Sequence, residues 1–407
     1  MRLVVFRSGL ILALASLFGF FSNFIFSVFL EKDAYGEIVT LFSLVSILVL
    51  VSPLGTNAFF LSHRDAYAKS ANAIIVFPAF ISLFMGMGFL IDELSLLRIA
   101  FISLLVVSTL SVQGIMASQI RQNGAQAAIY QSLQPFLKSV AALAVLASIV
   151  AGEGKSQAID ILAIGLIVTS VFAIPLMLWR LVDLQAGGGL FDLAFFKRFT
   201  KAQWISLISF WLSSILGMAY SLGIIPLVSY FHGYHYAAYL GIYFIFWSGS
   251  NILITMLINN HYWPKCCATR SAGEDERGVI IDSLRMSLGV AALTLFGTIL
   301  VALFISEFIW SEYSGIGHFL VIVSLAISVR AISAWLGMMI LSFDALITRK
   351  THVQLTMVLL MAVSVAAINV DDYQTLAWLL VVLEVGYFLG YFLSSLRVLK
   401  NRYFSRS

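Results

Sequence analysis

The feature that most limits what this chain can fold into is a pair of apolar runs joined by a short polar tip. The first run ends at Phe29-Leu30. The tip is Glu31-Lys32-Asp33-Ala34-Tyr35-Gly36-Glu37, and the second run extends to Leu61 before Ser62-His63-Arg64. Each run is about 20 residues or longer, enough for a helix to cross a hydrocarbon core. The unit reads as a transmembrane hairpin. A weak copy lies near residues 220–265, where Ala238-Tyr239-Leu240-Gly241 stands in for the tip. Gly36 and Gly241 are 205 positions apart, near half of the 407 residues. The same register sets Ser43 on Ser248, Ile47 on Ile252 and Leu48 on Leu253. This points to an internal repeat of half the chain.

Composition agrees with the hairpin. Hydrophobic residues make up 61% and charged residues 11%, which excludes an ordinary soluble fold of this length. The net charge of +4 does not point to nucleic acid, because the basic residues lie between apolar runs. At the N-terminus, Arg2 and Arg7 precede an apolar run in which Ala13-Leu14-Ala15 imitates a cleavage site. The run continues to Leu30, too long for a signal-peptide core, so it reads as an uncleaved first helix. The two cysteines, Cys266 and Cys267, are adjacent in a basic loop and read as free thiols facing a reducing cytoplasm.

Hydropathy predicts twelve spans, near 8–30, 38–61, 71–91, 96–118, 127–151, 159–180, 204–229, 238–262, 284–306, 316–341, 353–370 and 375–396. One set of loops and termini carries 19 of the 24 basic residues, whereas the other carries only Lys32, Arg98 and Lys155. The excess places both termini of this multi-pass protein in the cytoplasm. Trp179, Trp204, Trp263, Trp310 and Trp378 fall near span ends, where an amphipathic ring is favoured. The longest inner connection contains Gly187-Gly188-Gly189 and then Leu190 to Arg198. The latter reads either as an interfacial amphipathic helix or as the start of the seventh helix. The expected fold is therefore all-α. An N-terminal six-helix lobe (1–182), a cytoplasmic linker (183–203) and a C-terminal six-helix lobe (204–407) form a parallel pseudo-repeat around a central cavity.

Ionisable groups inside spans are costly and mark function or pairing. Arg330 lies about a dozen residues from either end of the tenth span, roughly 18 Å at the helical rise, too deep to reach water. Helical spacing puts Ala326, Arg330, Ser333, Ala334 and Gly337 near one face, a small and polar stripe that lines a cavity or holds a structural ion pair. Lys138 shares a face with Gln131 and Gln134 beside Pro135, and either snorkels to the inner surface or lines the cavity. Glu384 shares a side with Tyr387 and Tyr391, while Gly386 and Gly390 form a small-xxx-small pair. Glu384 is a candidate partner of Arg330, a candidate for H+ or Na+ coupling, or a neutral buried acid. Asn23, Asn57 and Asn251 are further polar candidates, each also able to glue helices together. No metal-spaced His/Cys cluster, phosphate-cradling glycine loop, Gly-x-Ser-x-Gly elbow or ATP-binding motif is present, so no cofactor is expected and an enzyme is not.

Several short stretches carry a resemblance. They are Phe29-Leu30-Glu31-Lys32-Asp33-Ala34-Tyr35-Gly36, Ser52-Pro53-Leu54-Gly55-Thr56-Asn57, Ala238-Tyr239-Leu240-Gly241-Ile242-Tyr243 and Pro264-Lys265. On these the chain resembles the O-antigen (Wzx-type) polysaccharide flippases of the multidrug/oligosaccharidyl-lipid/polysaccharide exporter superfamily. His235-Tyr236 and Ala237-Ala238 replace the acidic residues usual before the second tip. The resemblance implies two six-helix lobes and alternating access. It implies as substrate an undecaprenyl-diphosphate-linked oligosaccharide carried across the bacterial inner membrane. Membrane lipid and other polysaccharide assembly proteins are the implied partners. A diphosphate in a low-dielectric cavity calls for a guanidinium or an ammonium, for which Arg330 and Lys138 are available.

The rivals are a drug or cation antiporter of the same superfamily, a major-facilitator transporter, and a membrane glycan polymerase or ligase. The first prefers acidic cavity groups. The second carries a Gly-x-x-x-Asp-Arg-type loop that Ser62-His63-Arg64-Asp65-Ala66-Tyr67 does not match. The third carries a long outer loop, and none is predicted here. The topology is testable by cysteine labelling of intact cells. Cysteines placed at Asp92 and Asp372 should react from outside and one at Arg198 should not, and labelling at 198 would overturn the orientation.

Overall fold

A computed structural model describes residues 2–53, 71–88, 95–120, 123–152, 154–183, 200–258, 262, 265–266, 269, 275–341, 344–370 and 372–399. Regular structure among them is helical: α1 (Arg2–Phe29), α2 (Lys32–Val51), α3 (Ala71–Met87), α4 (Leu96–Ile120), α5 (Gly124–Val150), α6 (Lys155–Asp183), α7 (Lys201–Leu222), α8 (Ile224–His232), α9 (Tyr234–Leu257), α10 (Arg277–Phe304), α11 (Ser306–Ile309), α12 (Ile316–Trp335), α13 (Asp344–Ala367) and α14 (Tyr373–Leu399). A π-helical turn, Leu336–Ile340, extends α12. Each of the twelve expected spans overlaps a helix, but the seventh (204–229) meets two, α7 and α8, which break at Gly223. Among the described residues, nine helices are long and apolar enough to cross a membrane. The chain is a multi-pass membrane protein.

Helices extend past the apolar windows where polar residues continue them. α10 begins at Arg277 rather than near 284, and α13 at Asp344 rather than near 353. The tip of the first hairpin departs most from expectation. Seven residues read as a loop, yet α1 ends at Phe29 and α2 starts at Lys32. Glu31 is the extended N-cap residue, and its carbonyl accepts the Tyr35 N–H at 2.8 Å. Lys, Asp, Ala and Glu tolerate a helix, and Asp33 in the first turn suits the positive end of its dipole. Tyr35 and Gly36 are buried, so the tip is packed rather than solvated. The second tip behaves alike. Gly233, at φ +97°, is the single residue between α8 and α9, and Tyr239 and Gly241 lie within α9.

The chain forms two compact units, residues 1–226 and 227–407. In the first, α1 packs along α5, and α4 sits among α2, α3, α5 and α6. The N-cap Asn123 accepts the Gln126 N–H at 3.1 Å at the start of α5, and a Thr200–Gln203 capping box starts α7. The second reading of the Leu190–Arg198 stretch, like the first, falls on 184–199, outside the described residues. In the second unit, α12 is the central helix, against α9, α10 and α14. Gly386 and Gly390 do bring helices close: a Cβ on Gly390 would meet Val353 Cγ1 of α13 at 2.7 Å, and one on Gly386 would meet Met357 at 3.2 Å. At the start of α12, Gly315 has φ +70°, and a Cβ there would overlap the Tyr373 ring at 2.1 Å. Tyr239 stacks near that ring and donates to the Ser314 carbonyl at 2.7 Å. The buried Cys266 thiol donates to a Glu276 carboxylate oxygen at 3.5 Å; Cys267 lies outside the described residues.

Gly390→Leu overpacks the α13–α14 contact and is expected to destabilise by about 1–3 kcal/mol. Gly315→Ala adds backbone strain to a clash. Both should lower the thermal midpoint of the purified protein, and an unchanged midpoint for Gly390→Leu would contradict the close approach.

Candidate functional site

The chemistry concentrates in the second unit, where α12 presents Arg330 to α14. Arg330 Nη1 stands 3.3 Å from Glu384 Oε1 and 3.4 Å from Oε2. One nitrogen makes both contacts, so this is not the two-nitrogen parallel fork of the strongest arginine–carboxylate pairs. Both residues are buried, at 8% and 6% exposure. The guanidinium carbon also lies 4.7 Å from the centre of the Tyr387 ring and 5.9 Å from that of Trp247 on α9. Aromatic faces attract a cation, and more strongly where water is excluded.

A polar chain leads away from the pair. The Tyr387 and Tyr391 hydroxyls are hydrogen-bonded to each other, and the Gln354 side chain of α13 bonds to both tyrosines. Gly337, in the π-helical turn, lets Tyr391 approach α12, since a Cβ there would stand 2.8 Å from the ring. The small and polar stripe of α12 thus meets α14 at two of its members, Arg330 and Gly337. Ala326 and Ser333 are buried, and the Ser333 hydroxyl donates to the Val329 carbonyl of its own helix at 3.0 Å. Trp335 donates to Ser283 of α10 at 2.8 Å, fixing α12 on its other side.

The first unit holds Lys138 differently. Its ammonium sits 3.8 Å from the centre of the Phe42 ring on α2. Phe42 in turn lies against Phe101 and Phe26, at 4.9 and 6.2 Å between centres. Gln131 is exposed and Gln134 half-buried on the same helix. Below them the Ser139 hydroxyl donates to the Phe18 carbonyl of α1 at 2.8 Å and to the Pro135 carbonyl at 3.0 Å. Asn23 on α1 and Asn251 on α9 are half-buried. Asn57 lies outside the described residues.

Sequence reasoning missed Trp247 and Gln354. A tryptophan far from either end of its span was the available signal for the first, and a glutamine inside an apolar window for the second. It also passed over Gln113 in α4, which is wholly buried and whose two amide atoms have no hydrogen-bond partner among the described residues.

The pair is open to a stability test. Arg330→Met strands a buried carboxyl and is expected to cost about 3–5 kcal/mol, whereas Arg330→Met with Glu384→Leu removes both charges and should recover most of that loss. Thermal unfolding of the purified variants measures it. A double variant no more stable than the single one would show that the pair is not coupled.

No family model matches the sequence, and no curated protein matches it. Solved structures match in fold. The lipid II flippase MurJ in an inward closed conformation aligns with a TM-score of 0.60 at 11% identity, over 95% of this chain and 87% of that one. A point mutant of the Vibrio cholerae MATE transporter VcmN aligns at 0.51 and 14% identity, over 99% of both chains. The bent form of VcmN aligns at 0.50 and 12%, again over 99% of both. At these identities the likeness is one of fold, and this chain has the helical transporter fold that the flippase and MATE structures share.

Proposed function

We propose that the protein is a flippase of the Wzx type, moving an undecaprenyl-diphosphate-linked oligosaccharide across the bacterial inner membrane by alternating access. The observation that carries the reading is a buried guanidinium, Arg330, in a fold shared with a lipid II flippase. Residues 1–182 and 204–407 are the two moving lobes, 183–203 connects them in the cytoplasm, and both termini are cytoplasmic. Polysaccharide assembly enzymes on either side of the membrane supply and consume the substrate.

The mechanism turns on exchange of partners at Arg330. Its charge is met by Glu384 and by the faces of Tyr387 and Trp247. An arriving diphosphate competes with the carboxylate for the guanidinium. Proton or sodium uptake at Glu384 weakens the carboxylate's hold and favours the exchange. Lys138, on an aromatic face rather than a carboxylate, is the second cation available to phosphate. Loss of the bound ion restores the Arg330–Glu384 pair and expels the anion. Buried Glu384 together with the MATE-like fold also supports a second reading, a cation-coupled drug antiporter.

Proteoliposomes decide between the two. Flipping of a lipid-diphosphate glycan, driven by a proton or sodium gradient, supports the flippase. Extrusion of a cationic dye with no glycan flipping supports the antiporter. In the flippase reading Arg330→Ala abolishes export at normal protein level. Arg330→Lys, which keeps the charge but not the planar fork, retains part of it. Glu384→Gln lowers transport and alters its pH dependence. Unchanged lipid-diphosphate affinity in well-folded Arg330→Ala would sink the role given to the arginine.

A further inference from the structure

A cavity of about 590 Å³ lies in the first unit, between the opening turns of α5 and the closing turns of α6. That is within the usual size of ligand pockets, about 300–1,000 Å³. Tyr130 and Met177 form its buried floor, at 8% and 4% exposure. Tyr130 is seated by Gly114 of α4, where a Cβ would come within 2.6 Å of the ring. Ile129 and Leu176 stand at its mouth, 56% and 58% exposed. Apolar side chains this open at a helix surface belong against lipid tails. Arg180 and Gln126 supply the polar end, and none of the lining residues is acidic.

Depth in the membrane follows from the neighbours. Arg180 is three residues from the end of α6, and its guanidinium lies 5.1 Å from the ring of Trp179, which is 61% exposed. An exposed tryptophan beside an arginine at a helix end marks the level of the headgroups. Loop charge places this end on the inner side, where anionic lipids raise the negative surface potential. The cavity therefore joins an apolar slot open to hydrocarbon with a guanidinium at phosphate level.

We propose that this cavity binds an anionic phospholipid of the inner leaflet, with one acyl chain over Tyr130 and Met177 and its phosphate on Arg180. A water-soluble ligand would leave the open apolar mouth unused. A zwitterionic lipid carries the same phosphate but brings an ammonium toward Arg180, so the site discriminates by net charge. Arginine suits the task because its planar donors match two phosphate oxygens. The site is separate from the Arg330–Glu384 pair and independent of what the protein transports.

The test uses the purified full chain, stripped of lipid and titrated with phosphatidylglycerol or phosphatidylcholine under native mass spectrometry. The wild type is expected to retain one phosphatidylglycerol, preferred about fivefold over phosphatidylcholine, the scale of one basic residue at an anionic surface. Arg180→Gln should erase the preference and keep weak retention of both lipids. Leu176→Trp, at an exposed position, should fill the slot and lower retention of both, and thermal unfolding checks that each variant is folded. Equal retention of the two lipids by the wild type would overturn the proposal. So would a preference untouched by Arg180→Gln, or retention untouched by Leu176→Trp. Displacement of the lipid by inorganic phosphate alone, or by undecaprenyl phosphate in preference to phosphatidylglycerol, would likewise reassign the site.

Discussion

Across the apolar spans the peptide groups of this chain have no water to turn to, so each N–H must find a carbonyl within its own helix. Many hydroxyls obey the same rule, although those of Ser108, Thr109, Ser111 and Ser170 have no partner among the described residues. Thr40 donates to Gly36, Ser43 to Val39, Ser118 to Gly114 and Ser333 to Val329, each one turn back along its helix. Such bonds let a polar residue sit in an apolar surrounding at small cost. The prolines at 78, 135 and 175 interrupt this ladder. One turn after Pro135 the Ser139 hydroxyl reaches the Phe18 carbonyl of α1, an interhelical contact beside the break.

Charge faces the same constraint with fewer remedies. Arg330 is met by a carboxylate and two aromatic faces, Lys138 by an aromatic face. These answers differ in consequence. An ion pair is neutral as a unit, and removing either member strands the other. A cation over a ring keeps its full charge and gives up little when a better anion arrives. The two cations are thus held with different firmness, and the protein's response to an anionic ligand need not be the same at both.

Most of the fold was legible because apolarity and length decide what crosses a membrane. Where polar residues extend a helix, hydropathy was silent. Glu31 to Glu37 looked like a loop because charge is usually solvated, yet only Leu30 and Glu31 separate the helices. The depth of Arg330 and the helical alignment of Glu384 with Tyr387 were readable from spacing. The pairing of Arg330 with Glu384 was readable only as one option, since 54 positions and the whole of α13 separate them. Gly386 and Gly390 announced close packing, and α13 is what they meet. Gln354 and Trp247 join the pair through tertiary geometry alone, which no period in the sequence encodes.

The two tight connections have a mechanical meaning. Two residues between α1 and α2, and one between α8 and α9, span only about 3.3–3.6 Å each when extended. Neither hairpin has slack. α1 lies mainly along α5, whereas α2 lies against α4 and α7, so the first connection ties together two helices with different main neighbours. A tilt of either helix must drag the other's end with it. Each hairpin therefore couples its two helices at the tip, and the end of one helix fixes where the next can begin.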